Sequence, residues 1–137
     1  MRIIEYSDAF DELFDLDYQI ESLKELVDAE PEVLVLTGDD CKGWRNVPNS
    51  GKYKWKDGTW KEYWETYSHK KFPDYCSIKY CRRCAEDGAH MFQKDGKQYI
   101  VPMCVFHNRR RSDEPFNLNV GTVAVEVDWS QVIKVND

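Results

Sequence analysis

At 137 residues with a formal net charge of −6, the chain has room for one domain with a modest core, and two independent domains would be a squeeze. No apolar run approaches the roughly 18 residues of a membrane span, and the opening MRIIEYSDAF lacks the apolar stretch and cleavage site of a signal peptide; an intracellular, cytoplasmic protein with no membrane partner is expected. The net charge conceals a division, because residues 1–40 carry thirteen Asp or Glu against Arg2 and Lys24, whereas residues 41–111 carry sixteen Lys or Arg against seven Asp or Glu. A basic block attracts a phosphate backbone; an acidic block repels one, covers the basic face or binds a basic partner; and both also serve simply as solvated surface.

In chain order, RIIEY (2–6) reads as a short strand, and DAFDELFDLDYQIESLKELVDAEP (8–31) reads as an acidic helix closed by Pro31 and interrupted near 15–17. EVLVLTG (32–38) has the look of a strand ending at Gly38. Residues 39–58, rich in Gly, Pro, Asn, Asp and Lys, are expected to form a long exposed loop, in which Trp44, Tyr53 and Trp55 either stack on unpaired bases or pack over the core. TWKEYWETYSHKKF (59–72) repeats Trp60, Tyr63, Trp64 and Tyr67 at helical spacing, a pattern that belongs more often to a core than to a stacking platform. His69, near the end of that helix, suits the negative end of its dipole. GTVAVEVDW (121–129) alternates as a strand, and QVIKV extends it or pairs with it as a terminal hairpin.

Between these lies the densest chemistry. Cys76 to Asn108 holds four of the five cysteines and two of the three histidines. In a reducing compartment, clustered cysteines point to metal ligands or catalytic groups rather than disulfides, and an odd total fits poorly with full pairing. A structural zinc needs four tetrahedral ligands, supplied economically by two short loops with a pair each. Cys104-x2-His107 is one such pair. The other is open from spacing alone, since Cys81-x2-Cys84 has the commonest zinc spacing but Cys76-x4-Cys81 also falls within the permitted range.

The run YCSIKYC…GAHM…YIVPMCVFHN resembles the HNH-type, treble-clef zinc proteins, in which a cysteine knuckle leads to a histidine opening a β-hairpin and a second knuckle starts a helix. The resemblance covers about residues 64–108 and is firmest from Cys76 onward. It implies Cys76, Cys81, Cys104 and His107 as ligands of a structural Zn2+, with Cys84 as the alternative. It also implies His90 as general base and Asn108 as ligand of a catalytic Mg2+ or Mn2+ in phosphodiester hydrolysis. Two departures stand against hydrolysis. The position before the motif histidine, an Asp in many active members, is Ala89, leaving Asp87, Asp95 or Asp113 to supply a carboxylate. The short hairpin also offers no middle Asn.

Arg82 and Arg83 in the first knuckle and Arg109, Arg110 and Arg111 after the second are candidate phosphate contacts, joined by Lys52, Lys54, Lys56, Lys70 and Lys71. The expected architecture is a single α+β domain. It comprises an acidic strand–helix–strand portion (1–40), a basic loop and aromatic helix (41–75), a treble-clef, HNH-like zinc module (76–111) and terminal strands (112–137). The expected function is nucleic-acid binding, extended to endonuclease activity if the motif is competent. The alternative is a non-catalytic interaction module, a nucleic-acid mimic or small phage-type regulator, that meets a basic protein surface through residues 5–40.

Overall fold

The architecture follows from three β-strands that carry apolar residues on both faces and so must be covered on both. In the computed structural model, which describes residues 30–93, 96–110 and 114–135, these are β4 (Asp87–Phe92), β5 (Gln98–Met103) and β6 (Val123–Glu126). The expected strand at 2–6 and nearly all of the acidic helix at 8–31 lie outside the described residues. From Pro31 onward the chain forms one compact unit mixing helix and strand.

An antiparallel five-stranded sheet is completed by β1 (Val33–Val35), which pairs with β6, and by the two-residue β2 (Arg45–Asn46), which pairs with β4; the order is β1-β6-β5-β4-β2. Alternation sorts the side chains. Ala89, Met91, Tyr99, Val101, Met103 and Ala124 face one core, with Leu36, Trp44 and Leu118. Ile100, Val123, Val125 and Val127 face the other, beneath α1 (Trp60–Ser68).

Helix α1 begins where Thr59 and Glu62 form a capping box: the Thr59 hydroxyl accepts from the Glu62 N–H at 3.0 Å, and the Glu62 carboxylate accepts from the Thr59 N–H at 2.8 Å. It ends at His69, which adopts a left-handed conformation (φ 58°) and donates its N–H to the Glu65 carbonyl, so this histidine terminates the helix through its backbone. The helical spacing of aromatics does mark the buried stripe. Tyr63 and Trp64 are buried, with Trp60 and Tyr67 packed beside them. Their polar tips find partners: the Trp64 indole donates to the Val123 carbonyl at 2.8 Å, and the Tyr63 hydroxyl donates to the Glu126 carbonyl at 2.6 Å. Gly88 permits the close approach of α1 to β4, because a Cβ there would lie 2.6 Å from the Trp60 backbone carbon.

Two expectations need correction. The segment 39–58 is not a continuous loop: besides β2 it contains β3 (Tyr53–Trp55), and Trp44 and Trp55 are buried, which settles their role as packing. The terminal hairpin is also absent. β6 belongs to the main sheet, whereas β7 (Val132–Lys134) crosses to pair with β3 in a separate two-stranded ribbon, with Tyr53 opposite Lys134 and Trp55 opposite Val132. Gln131 secures that crossing, its Oε1 accepting from the Trp55 indole at 3.0 Å and the Tyr67 hydroxyl at 2.8 Å. Strands of two or three residues show too little alternation to be read from sequence, and their partners lie far along the chain.

Candidate metal centre and its surroundings

The first knuckle is an irregular segment held by backbone hydrogen bonds. Cys76 donates its N–H to Arg83, Ser77 donates to Pro102 on β5, and Cys81 donates to Ile78 across a tight turn. The second knuckle is the junction of β5 with the short α2 (Val105–Asn108), where Cys104 is the N-cap and its sulfur accepts from the His107 N–H at 3.4 Å. Asn46 on β2 fastens this corner from across the sheet, its Nδ2 donating to the carbonyls of His107 at 2.9 Å and Arg110 at 3.1 Å.

Together these elements gather Cys76, Cys81, Cys104 and His107, whose ligand atoms all lie within 4.8 Å of one another. Cys104 Sγ is 3.3 Å from His107 Nδ1, Cys76 Sγ is 3.9 Å from the same nitrogen, and Cys81 Sγ is 3.9 Å from Cys104 Sγ. Zinc with sulfur at about 2.3 Å and nitrogen at about 2.0 Å gives tetrahedral edges of about 3.5–3.8 Å. The donor set therefore could hold a metal ion and could bind zinc. Cys84 is exposed and stands outside the group. Burial pushes the Cys76 thiol up to about 12, against backbone N–H groups of Cys104 and Ile78 that favour its thiolate. Such a sulfur becomes a ligand where a cation offsets the burial. The His107 imidazole is held below its ordinary range by burial and then by Arg110 and Arg83, which favours the neutral form a ligand requires.

The other expected residues divide. Asn108 sits at the end of α2, and its Nδ2 donates to Asp87 Oδ2 at 3.0 Å; of the three carboxylates considered, Asp87 is thus the one at hand, Asp95 and Asp113 lying outside the described residues. Asn108, His90, Asn46 and Arg110 line a small cavity of about 230 Å³ with the Val47–Gly51 loop. The His90 ring, however, is only 4 % exposed and packs edge-on against Trp60, with ring centroids 4.5 Å apart. Burial pulls its pKa down to about 4; the Gln98 side chain opposes this, yet neither ring nitrogen meets a well-formed hydrogen bond among the described residues. Ala89 is buried on the opposite face, in the core beneath the cysteines.

Arg82, Arg83, Arg109 and Arg110 are exposed around the cluster, and Arg111 lies outside the described residues. Two of them converge, since the guanidinium carbons of Arg83 and Arg110 lie 4.5 Å and 5.1 Å from the centroid of the same ring, Phe106, which is 45 % exposed. Arg110 also pairs with Glu114 at 3.0 Å. Lys52, Lys54, Lys56, Lys70 and Lys71 are exposed as well, spread beyond the knuckles. Sequence reasoning passed over Asn46, whose contacts are 61 and 64 residues away, and Phe106, which a single aromatic inside a ligand spacer does not announce.

No protein-family model, curated protein or solved structure matches this chain. No helix among the described residues is long and apolar enough to cross a membrane.

Proposed function

We propose that residues 76–110 form a zinc-stabilised module of treble-clef, HNH-like type that binds the phosphate backbone of nucleic acid. The order of parts supports the kinship: a cysteine knuckle, the β4–β5 hairpin, then a short helix whose first turn carries the last two ligands. The observation that carries the binding role is the convergence of Arg83 and Arg110, one from each knuckle, on the exposed Phe106 ring. A guanidinium held against an aromatic face keeps its charge and its outward N–H groups, so the ring spaces two cationic groups on a metal-braced base, Arg110 exchanging its exposed Glu114 partner for a phosphate.

Binding is favoured over hydrolysis. A general base must reach its water and accept a proton near neutrality, whereas His90 is enclosed by aromatic rings and holds a proton only below about pH 4. Elemental analysis should find about one zinc per chain. Titrating labelled DNA strands and duplexes at several salt concentrations should show affinity falling steeply with salt. Arg83→Ala with Arg110→Ala should weaken binding to both forms and flatten the salt slope while zinc is retained. Undiminished binding by that double variant would remove the proposed surface, and His90-dependent cleavage in Mg2+ or Mn2+ would reverse the preference for binding.

A further inference from the structure

We infer that the tip of the first knuckle is a stacking site for an unpaired nucleobase, with Tyr80 as the platform and Lys79, Arg82 and Arg83 meeting the flanking phosphates, so that the module prefers single-stranded nucleic acid to duplex. The inference rests on the nucleic-acid reading above but on a different observation. Tyr80 is 87 % exposed, so its ring adds almost nothing to the core. Its backbone is left-handed, with φ 69°, in the third position of the turn closed by the Cys81 N–H to the Ile78 carbonyl. That position suits glycine or asparagine and disfavours a bulky aromatic. The fold therefore accounts for a residue here but not for a tyrosine.

What surrounds the ring is suited to a nucleotide. The Lys79 ammonium lies over one face of the ring, 5.3 Å from its centroid, and Arg82 and Arg83 follow two and three positions later, both exposed, Arg83 held over Phe106. The tip is also firmly mounted: Ile78 is buried, and the Lys79 N–H donates to the Asn117 carbonyl at 2.8 Å. An exposed ring carrying a cation on one face, with further cations nearby in the chain, is suited to hold a single strand, because every unpaired base offers a face for stacking. Within a duplex those faces are occupied by neighbouring bases, and only the phosphate contacts remain.

The test uses the full chain carrying its metal, a labelled thymidine oligonucleotide and the same strand annealed to its complement, with affinity read by fluorescence anisotropy. Wild type should bind the strand more tightly than the duplex. Tyr80→Gly should lose about tenfold on the strand, leave duplex binding unchanged, and unfold at the same or a higher temperature because the turn is relieved. Tyr80→Phe should behave as wild type, and Tyr80→Asn, also at home in a left-handed turn, should repeat the glycine result. Undiminished strand binding in both the glycine and asparagine variants, or equal losses on strand and duplex, would overturn the stacking site while leaving the phosphate surface in place. Failure of wild type to bind either form would instead overturn the phosphate-binding reading, and the stacking site with it.

Discussion

On one face of the five-stranded sheet, α1 lays Tyr63 and Trp64 across Ile100, Val123 and Val125, and apolar burial with satisfied polar tips accounts for the contact. On the other face the segment from Cys76 to Cys84 has almost no regular structure and leaves Lys79, Tyr80, Arg82, Arg83 and Cys84 in solvent, burying mainly Cys76, Ser77 and Ile78. So little apolar area does not offset the entropy of ordering such a segment. A metal bound by the four ligands would, since its binding free energy becomes folding free energy. Both faces of the sheet are packed, but on this one Trp44, Met91, Tyr99 and Val101 secure the sheet itself while the knuckle segment above them buries little, and the proposed nucleic-acid surface lies over that segment.

The largest expected effect comes from breaking the metal side. Structural zinc sites contribute about 10–16 kcal/mol of apparent binding energy, comparable with the whole stability of a domain, about 5–15 kcal/mol. Chelation or Cys104→Ser should therefore remove the metal and expose residues 76–110 to proteolysis and rapid hydrogen exchange. Cys84→Ser should leave the metal content unchanged. A Cys104→Ser protein as resistant as wild type would erase the contrast between the faces.

On the α1 side, Trp64→Ala should cost about 3–5 kcal/mol in urea unfolding, with one metal per chain retained in the folded protein. Loss of metal from the folded variant would show that the faces are more tightly coupled than their packing implies.

His90 offers a pH test of the same side. Its folded pKa of about 4 lies below its ordinary value, so the unfolded chain takes up the proton first as pH falls. Stability from this group is fully present above its unfolded pKa of about 6.5, declines as pH falls to about 4, and changes no further below that. The full loss is about 3 kcal/mol. Acid also protonates the metal ligands, so the comparison is with His90→Phe, which should lack this component of the slope. At pH 7 the variant should be as stable as wild type or more so, because it deletes two buried nitrogens that meet no well-formed hydrogen bond among the described residues. A slope identical to wild type would show that the imidazole titrates freely.

The smallest effect should come from Thr59→Ala, which removes the hydroxyl half of the α1 capping box for about 1 kcal/mol. Thermal unfolding would detect it, again with metal retained.

Much of this was legible in the chain because it depends on neighbours in sequence. The aromatic spacing from Trp60 to Tyr67 set the buried side of α1, the alternation at Val123, Val125 and Val127 set one face of β6 and the residue after it, and the short Cys104-x2-His107 spacer marked that pair as ligands that could share a metal. What the tertiary structure decided is what distant partners control. Spacing left both Cys76 and Cys84 open as companions for Cys81, with Cys84 at the commoner interval, and only the folding of the knuckle onto Pro102 turns Cys76 inward while Cys84 stays in solvent. Nothing near Tyr53 announces its pairing with Lys134, nor does anything near His90 announce that α1 will seal it under Trp60. Periodicity and ligand spacing are local properties that a sequence carries in itself. Burial and strand partnership come from contacts between residues far apart in the chain, and those exist only once it has folded.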